Sequence, residues 1–171
     1  MRVIDPPAGL PVTVEAFCEQ VHADPEHDAG AVEALLLAAV EVVETAAGVP
    51  MLARTVEFET PNGRWSRWWF PVRPVIALMG APVGVLESGW DEPRLLRGDE
   101  VGGVTIRARV GHEAGGEVPQ ALRQAVILLA REWWEAALTP DGAKAAELSF
   151  GVYRLIRQGR YRRPQVVEAI A

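Results

Sequence analysis

Residues 28–50 read DAGAVEALLLAAVEVVETAAGVP, and this stretch decides the class of fold. Apolar side chains recur at Val32, Leu35, Leu36, Ala39, Val40, Val43 and Ala46. That is the i, i+3, i+4, i+7 spacing of a helix with one buried face. Asp28 is placed to cap it. Gly48 and then Pro50 close it, because glycine accepts the left-handed terminal conformation and proline cannot extend the hydrogen-bond ladder. The spacing predicts a helix over 29–47. Upstream, Thr13 heads a shorter helix over 13–21, with Val14, Phe17, Cys18 and Val21 on one face. Between the two lies HADPEHDAG, residues 22–30, a polar loop of turn-forming residues.

Downstream the period changes. LARTVEFE (52–59) alternates as a strand does, Pro61-Asn62-Gly63 supplies a turn, and RWSRWWF (64–70) is expected to return as the second strand of a hairpin. Residues 75–86 are apolar but broken by Gly80, Pro82 and Gly84, which argues for an irregular or bulged strand. VTIRARV (104–110) alternates cleanly. The β region thus spans about 51–112. Helix returns at Val118-Pro119, proline being suited to the first helical position. Leu122, Ala125, Val126, Leu129, Trp133, Ala136 and Ala137 give the next apolar stripe, over 119–138. A linker, TPDGAKAAELSFG, leads to an arginine-rich segment ending near Pro164; helix is open to it near Tyr153–Ile156, but its arginines and Pro164 argue for an extended arm. The class is α+β: a small bundle of three main helices, an inserted antiparallel hairpin and sheet region, and a C-terminal arm. Residues 1–140 are expected to form one domain, with 141–171 as linker and basic arm.

Composition narrows the function classes. The 171 residues are 49% hydrophobic and 23% charged, ordinary for one globular domain. No run reaches the about 18 apolar residues of a membrane span, and MRVIDPPAGLP lacks the apolar core of a secretory signal. The expected compartment of synthesis is the cytoplasm, with no membrane partner. A single cysteine, Cys18, excludes an internal disulfide framework and suits a small core residue. Charge is asymmetric within the net −6. Residues 3–53 hold nine acidic side chains, including Glu33, Glu41 and Glu44, and no Lys or Arg, whereas Arg154, Arg157, Arg160, Arg162 and Arg163 cluster near the C-terminus. The acidic third disfavours direct DNA binding by the whole chain.

Catalytic templates are missing. There is no phosphate-binding GxxxxGK[ST], no dinucleotide GxGxxG between strand and helix, no HExxH and no GxSxG. No cofactor is expected and no catalytic residue is assigned. The best metal candidate is the loop His22, Asp24, Glu26, His27, Asp28, whose spacing matches no known ligand geometry; a solvated loop explains it better. His112-Glu113 reads as a turn rather than a general base. Six tryptophans (65, 68, 69, 90, 133, 134) invite a ligand-stacking reading, with a protein interface or plain core burial as the alternatives. Trp68 and Trp69 are adjacent on a strand, so one is expected to face the core and the other outward, as an interface aromatic. Arginines interleaved with Tyr153 and Tyr161 suit phosphate or a carboxylate-lined protein groove.

The order of these segments resembles the head–tail connector, or adaptor, proteins of long-tailed phages and of phage-like gene transfer agents. PVTVEAFCEQVH with DPEHDAGAVEALLLAAVEVVETAAGVP is similar to that family's opening helices. WWFPVRPVIAL, VTIRARVGHEAGGEVPQALRQAVILLAREWWE and LSFGVYRLIRQGR resemble its strands, glycine-rich turn, late helix and closing segment. The resemblance implies a non-enzymatic subunit at the head–tail junction of a particle, in a ring commonly of twelve copies beneath the portal. Its partners would be the portal protein, a tail-side stopper or tail terminator protein, and double-stranded DNA passing through the channel without specific binding. On that footing Arg154, Arg157, Arg160, Tyr161, Arg162 and Arg163 are expected to dock on the portal. Glu33, Glu41 and Glu44 are expected to face the channel, where like charge keeps DNA sliding. Alternatives are a tail-completion protein of the same particle, a small cytoplasmic enzyme, or a regulatory module.

Overall fold

A computed structural model describes residues 1–80, 84–88, 92–97, 103–137, 148–164 and 167–168. The chain divides into two compact units, each drawn from separated parts of the sequence. Leu10–Ala47 and Ala114–Arg160 form a helical unit; Met1–Gly9, Gly48–Glu113 and Tyr161–Ala171 form a β unit. The α+β class is borne out.

The helical unit contains α1 (Val14–Val21), α2 (Ala29–Ala47), α3 (Gln120–Ala137) and α4 (Phe150–Gly159). Thr13 caps α1 as its position suggests, its Oγ1 accepting from the Ala16 N–H at 3.2 Å. On α2 the buried residues are Val32, Leu36, Ala39, Val40, Val43 and Ala47, so the expected stripe is the core face. On α3 Leu122, Ala125, Val126, Leu129 and Ala130 are buried. Pro119 precedes its first turn and accepts there from the Leu122 and Arg123 N–H groups. Asp28 departs from expectation: its carboxylate turns back to the Asp24 N–H at 3.0 Å instead of capping α2.

The arm expected to be extended is a helix over most of its length. Ser149 Oγ accepts from the Val152 N–H at 3.3 Å and starts α4. Val152, Ile156 and Gly159 fall at i, i+4 and i+7 and are buried, which leaves the arginines on the opposite face. Pro164 lies past the helix and breaks nothing. Gly159 passes so close to Leu122 on α3 that a Cβ there would lie 2.7 Å from the leucine side chain. The linker residues 141–147 lie outside the described residues.

The β unit holds two antiparallel sheets. In the first, β1 (Arg2–Asp5), β2 (Arg54–Glu59), β7 (Thr105–Val110) and β4 (Val75–Met79) lie in the order β1-β2-β7-β4. In the second, β5 (Val85–Glu87), β6 (Arg94–Leu96) and β3 (Arg67–Trp69) are followed by the two-residue β8 (Val167–Glu168). The expected hairpin does not form. β2 pairs with β1 and β7, and β3 pairs with β6 and β8. The end of β2 is held to the β7 side instead: Val104 N–H donates to Thr60 Oγ1 at 2.9 Å and Gly103 N–H to Asn62 Oδ1 at 3.1 Å. Residues 75–86, read as one irregular strand, are two strands in different sheets, with residues 81–83 outside the described residues. β4 carries a bulge between Val75 and Ala77.

β1 was not expected, since RVID is polar at both ends. Its pairing is supported by charge: Glu57 on β2 holds Arg2 of β1 at 2.9 Å and Arg107 of β7 at 3.1 Å, linking three strands. Val56, Phe58, Ile106, Ala108 and Val110 from the first sheet pack with Trp65, Trp68, Phe70 and Leu95 in one core. Trp68 and Phe70 meet edge-on at 4.7 Å between centroids, and Phe58 stands edge-on to both. Gly111 has φ +99° beyond β7, where a Cβ would collide with the Leu52 carbonyl.

Candidate docking surfaces

The acidic loop between α1 and α2 spends its groups on itself. Asp24 accepts from the Glu26 N–H at 2.9 Å and pairs with His27 Nδ1 at 2.9 Å. Among the described residues no group of three or more His, Cys, Asp or Glu is arranged to hold a metal. A cavity of about 310 Å³ beside α1 is lined by Glu15, Cys18, Glu19, His22, Ala23 and Pro25. Burial, then the carboxylates of Asp28, Glu15 and Asp24, push the Cys18 thiol above its ordinary range, against nucleophilic use. His112 Nδ1 lies 3.0 Å from the Met51 carbonyl oxygen. Glu113 pairs with Arg109 at 2.7 Å, and that hydrogen bond holds its carboxyl below the usual range. Both act in the turn.

The aromatic pair is not an outward feature. Trp68 and Trp69 are 2% and 7% exposed, so the expectation that one ring faces outward is corrected. Trp68 packs in the core of the β unit, and the Arg67 guanidinium lies 5.7 Å from the Trp69 ring centre. The chain leaves α4 at Arg160, and Tyr161 and Arg163 fasten the next residues onto β3. Tyr161 Oη donates to the Phe70 carbonyl at 3.1 Å. Arg163 donates from Nε to the Trp69 carbonyl at 2.8 Å, adds its Nη2 to the same oxygen, and stacks its guanidinium 5.3 Å from the Trp68 ring centre. Burial pushes the Tyr161 phenol up and the Arg163 guanidinium down.

The six residues expected to form a docking arm therefore part company. Tyr161 and Arg163 are structural fasteners of the β unit. Arg154, Arg157, Arg160 and Arg162 are exposed. On α4, Phe150 and Tyr153 are 79% and 53% exposed, and with Arg154 and Arg157 they share one face at i, i+3, i+4 and i+7. The sequence signal for that face is the spacing of Phe150, Tyr153, Arg154 and Arg157 in FGVYRLIR. The three glutamates all lie on α2. Glu33 and Glu41 are exposed and Glu44 is half-buried. Leu37, one turn from each of the first two, is 53% exposed. What the helical unit presents is thus a cationic aromatic face on α4 and an anionic face centred on Leu37 of α2.

No protein-family profile matches the sequence, and no curated protein matches it. Solved structures do. A chain from the neck of an empty gene transfer agent particle, computed with C6 symmetry, is 22% identical, with 96% of this chain and 97% of that chain covered and a TM-score of 0.76. A chain of the native gene transfer agent virion is 24% identical, with the same coverage and a TM-score of 0.72. A chain of the native particle's neck, computed with C12 symmetry, is 23% identical over 94% of this chain and 97% of that one, with a TM-score of 0.66. The fold implied by the resemblance to head–tail connectors is therefore borne out along nearly the whole chain.

Proposed function

We propose that this chain is a structural subunit of the neck of a gene-transfer-agent-like particle, assembling as a ring between portal and tail and extending the DNA channel. The observation that carries the reading is the end-to-end fold match to a neck chain, 96% of this chain against 97% of that one. The C6 and C12 symmetries of the neck structures support a ring with sixfold or twelvefold order. Exposed surfaces of opposite charge on the helical unit, and a spent acidic loop, suit assembly and not catalysis. The portal and a tail-side protein are the partners above and below the ring, and DNA passes without specific contact.

The test is genetic and structural. Deleting the gene in the producing strain should give filled or empty heads that lack tails, and supplying the chain in trans should restore joined particles. Normal tailed particles from the deletion strain would refute the reading.

A further inference from the structure

We infer that the subunits of this protein join through α4 of one copy seated on α2 of the next. The two helices present exposed apolar side chains beside opposite charges. On α4 these are Phe150 and Tyr153 with Arg154 and Arg157; on α2, Leu37 with Glu33 and Glu41. Among the described residues none of those four charges makes an ion pair within its own chain. A phenylalanine left 79% in water and a leucine at 53%, each one helical turn from unpaired charges, are the make-up of an interface core with a charged rim.

Charge complementarity identifies the occupant as a second copy. The α4 face needs a partner with carboxylates around an apolar knob, and the chain itself carries one on α2. The α2 face also exposes Ala34 and Ala38, which let the large α4 aromatics approach its backbone. The faces are different surfaces, so the contact is heterologous: every copy offers one α4 and one α2, and repetition closes a ring when the rotation allows. The contact stands on these faces alone, while closure into a ring rests on the neck reading. The same arginines were expected to meet the portal and the same glutamates the channel; the pairing proposed here uses both on neighbouring subunits.

Two charge-reversed full-length chains test it, R154E/R157E and E33R/E41R, with self-association followed by sedimentation velocity across a concentration series. Each alone places like charges face to face and should associate at least about tenfold more weakly than the native chain. Mixed in equal amounts, they should recover native-like association, because every contact in an alternating assembly is again between opposite charges. All four positions are exposed, so far-ultraviolet circular dichroism should be unchanged. As an uncharged control, Phe150→Ala should weaken association without altering its salt dependence. Native-strength association of R154E/R157E alone, no recovery in the mixture, or a native chain that stays monomeric throughout would each overturn the proposal. If those arginines served the portal instead, R154E/R157E would self-associate normally and lose only portal binding. None of these results bears on whether the chain sits in the neck, which the deletion strain decides.

Discussion

Arg163 and Arg162 are neighbours with the same side chain and opposite fates. Arg163 donates twice to the Trp69 carbonyl and lies over Trp68, whereas Arg162 is exposed. Replacing Arg163 with alanine should lower unfolding stability by about 2 kcal/mol, since it removes charge-assisted hydrogen bonds from a half-buried guanidinium to a buried residue's carbonyl. Arg162→Ala should change it by less than about 0.5 kcal/mol; urea unfolding of the pair separates the two. Tyr161 adds a pH signature. Burial favours its neutral phenol, with Arg163 opposing more weakly, so the folded pKa lies above the ordinary value. The stabilisation is complete below about pH 10 and is lost as pH rises through the raised value. Tyr161→Phe should therefore flatten the alkaline limb of the stability profile and cost about 1 kcal/mol at neutral pH. Composition alone could not sort these arginines. A run of five reads as one basic patch until the chain is seen to change from helix to sheet edge at Arg160.

At the scale of elements, the helices were legible and most of the strand pairing was not. Helical periodicity is local: Val32 to Val43 and Leu122 to Leu129 announce their buried faces within a few turns. Strand partners are chosen at a distance. RWSRWWF alternates well enough for a hairpin, yet it pairs with Arg94–Leu96 because Thr60 and Asn62 are already tied to Val104 and Gly103. The doubled tryptophan misled as well. Alternation sends one ring to each face, yet both are buried: Trp68 packs in the core and the Arg67 guanidinium lies over the Trp69 ring. Helix was open near Tyr153–Ile156, but the arginines and Pro164 argued for an extended arm; burial of Val152, Ile156 and Gly159 decides for α4. The closeness of Gly159 to Leu122 makes a sharp test. Gly159→Ala adds one methyl where there is no room and should cost about 1–3 kcal/mol, despite alanine's better helix propensity. Thermal unfolding that shows no loss would mean the two helices are less tightly packed than described.

Over the whole molecule, the sequence interleaves the two units: the helical unit is interrupted by the β unit, and the β unit is completed only by residues after α4. Such an arrangement couples the chain's end to its middle, so the residues after Arg160 belong to the β unit and not to a free arm. That changes what is left for partners. Tyr161 and Arg163 are committed and Trp68 and Trp69 are buried, while the outer faces of α2 and α4 stay exposed. The fold shared with the neck chains was readable from the succession of helix, acidic loop, helix, strands, glycine-rich turn and helix, each too plain to speak alone. The surfaces that meet a neighbour were not readable, because exposure is a property of the folded chain. The most direct test is cryo-electron microscopy of particles purified from the producing strain, with density at the head–tail junction traced against this sequence. The expected result is a ring of this chain between portal and tail, α4 of each copy against α2 of the next. A complete neck built from other chains, with this one absent from the particle, would contradict it.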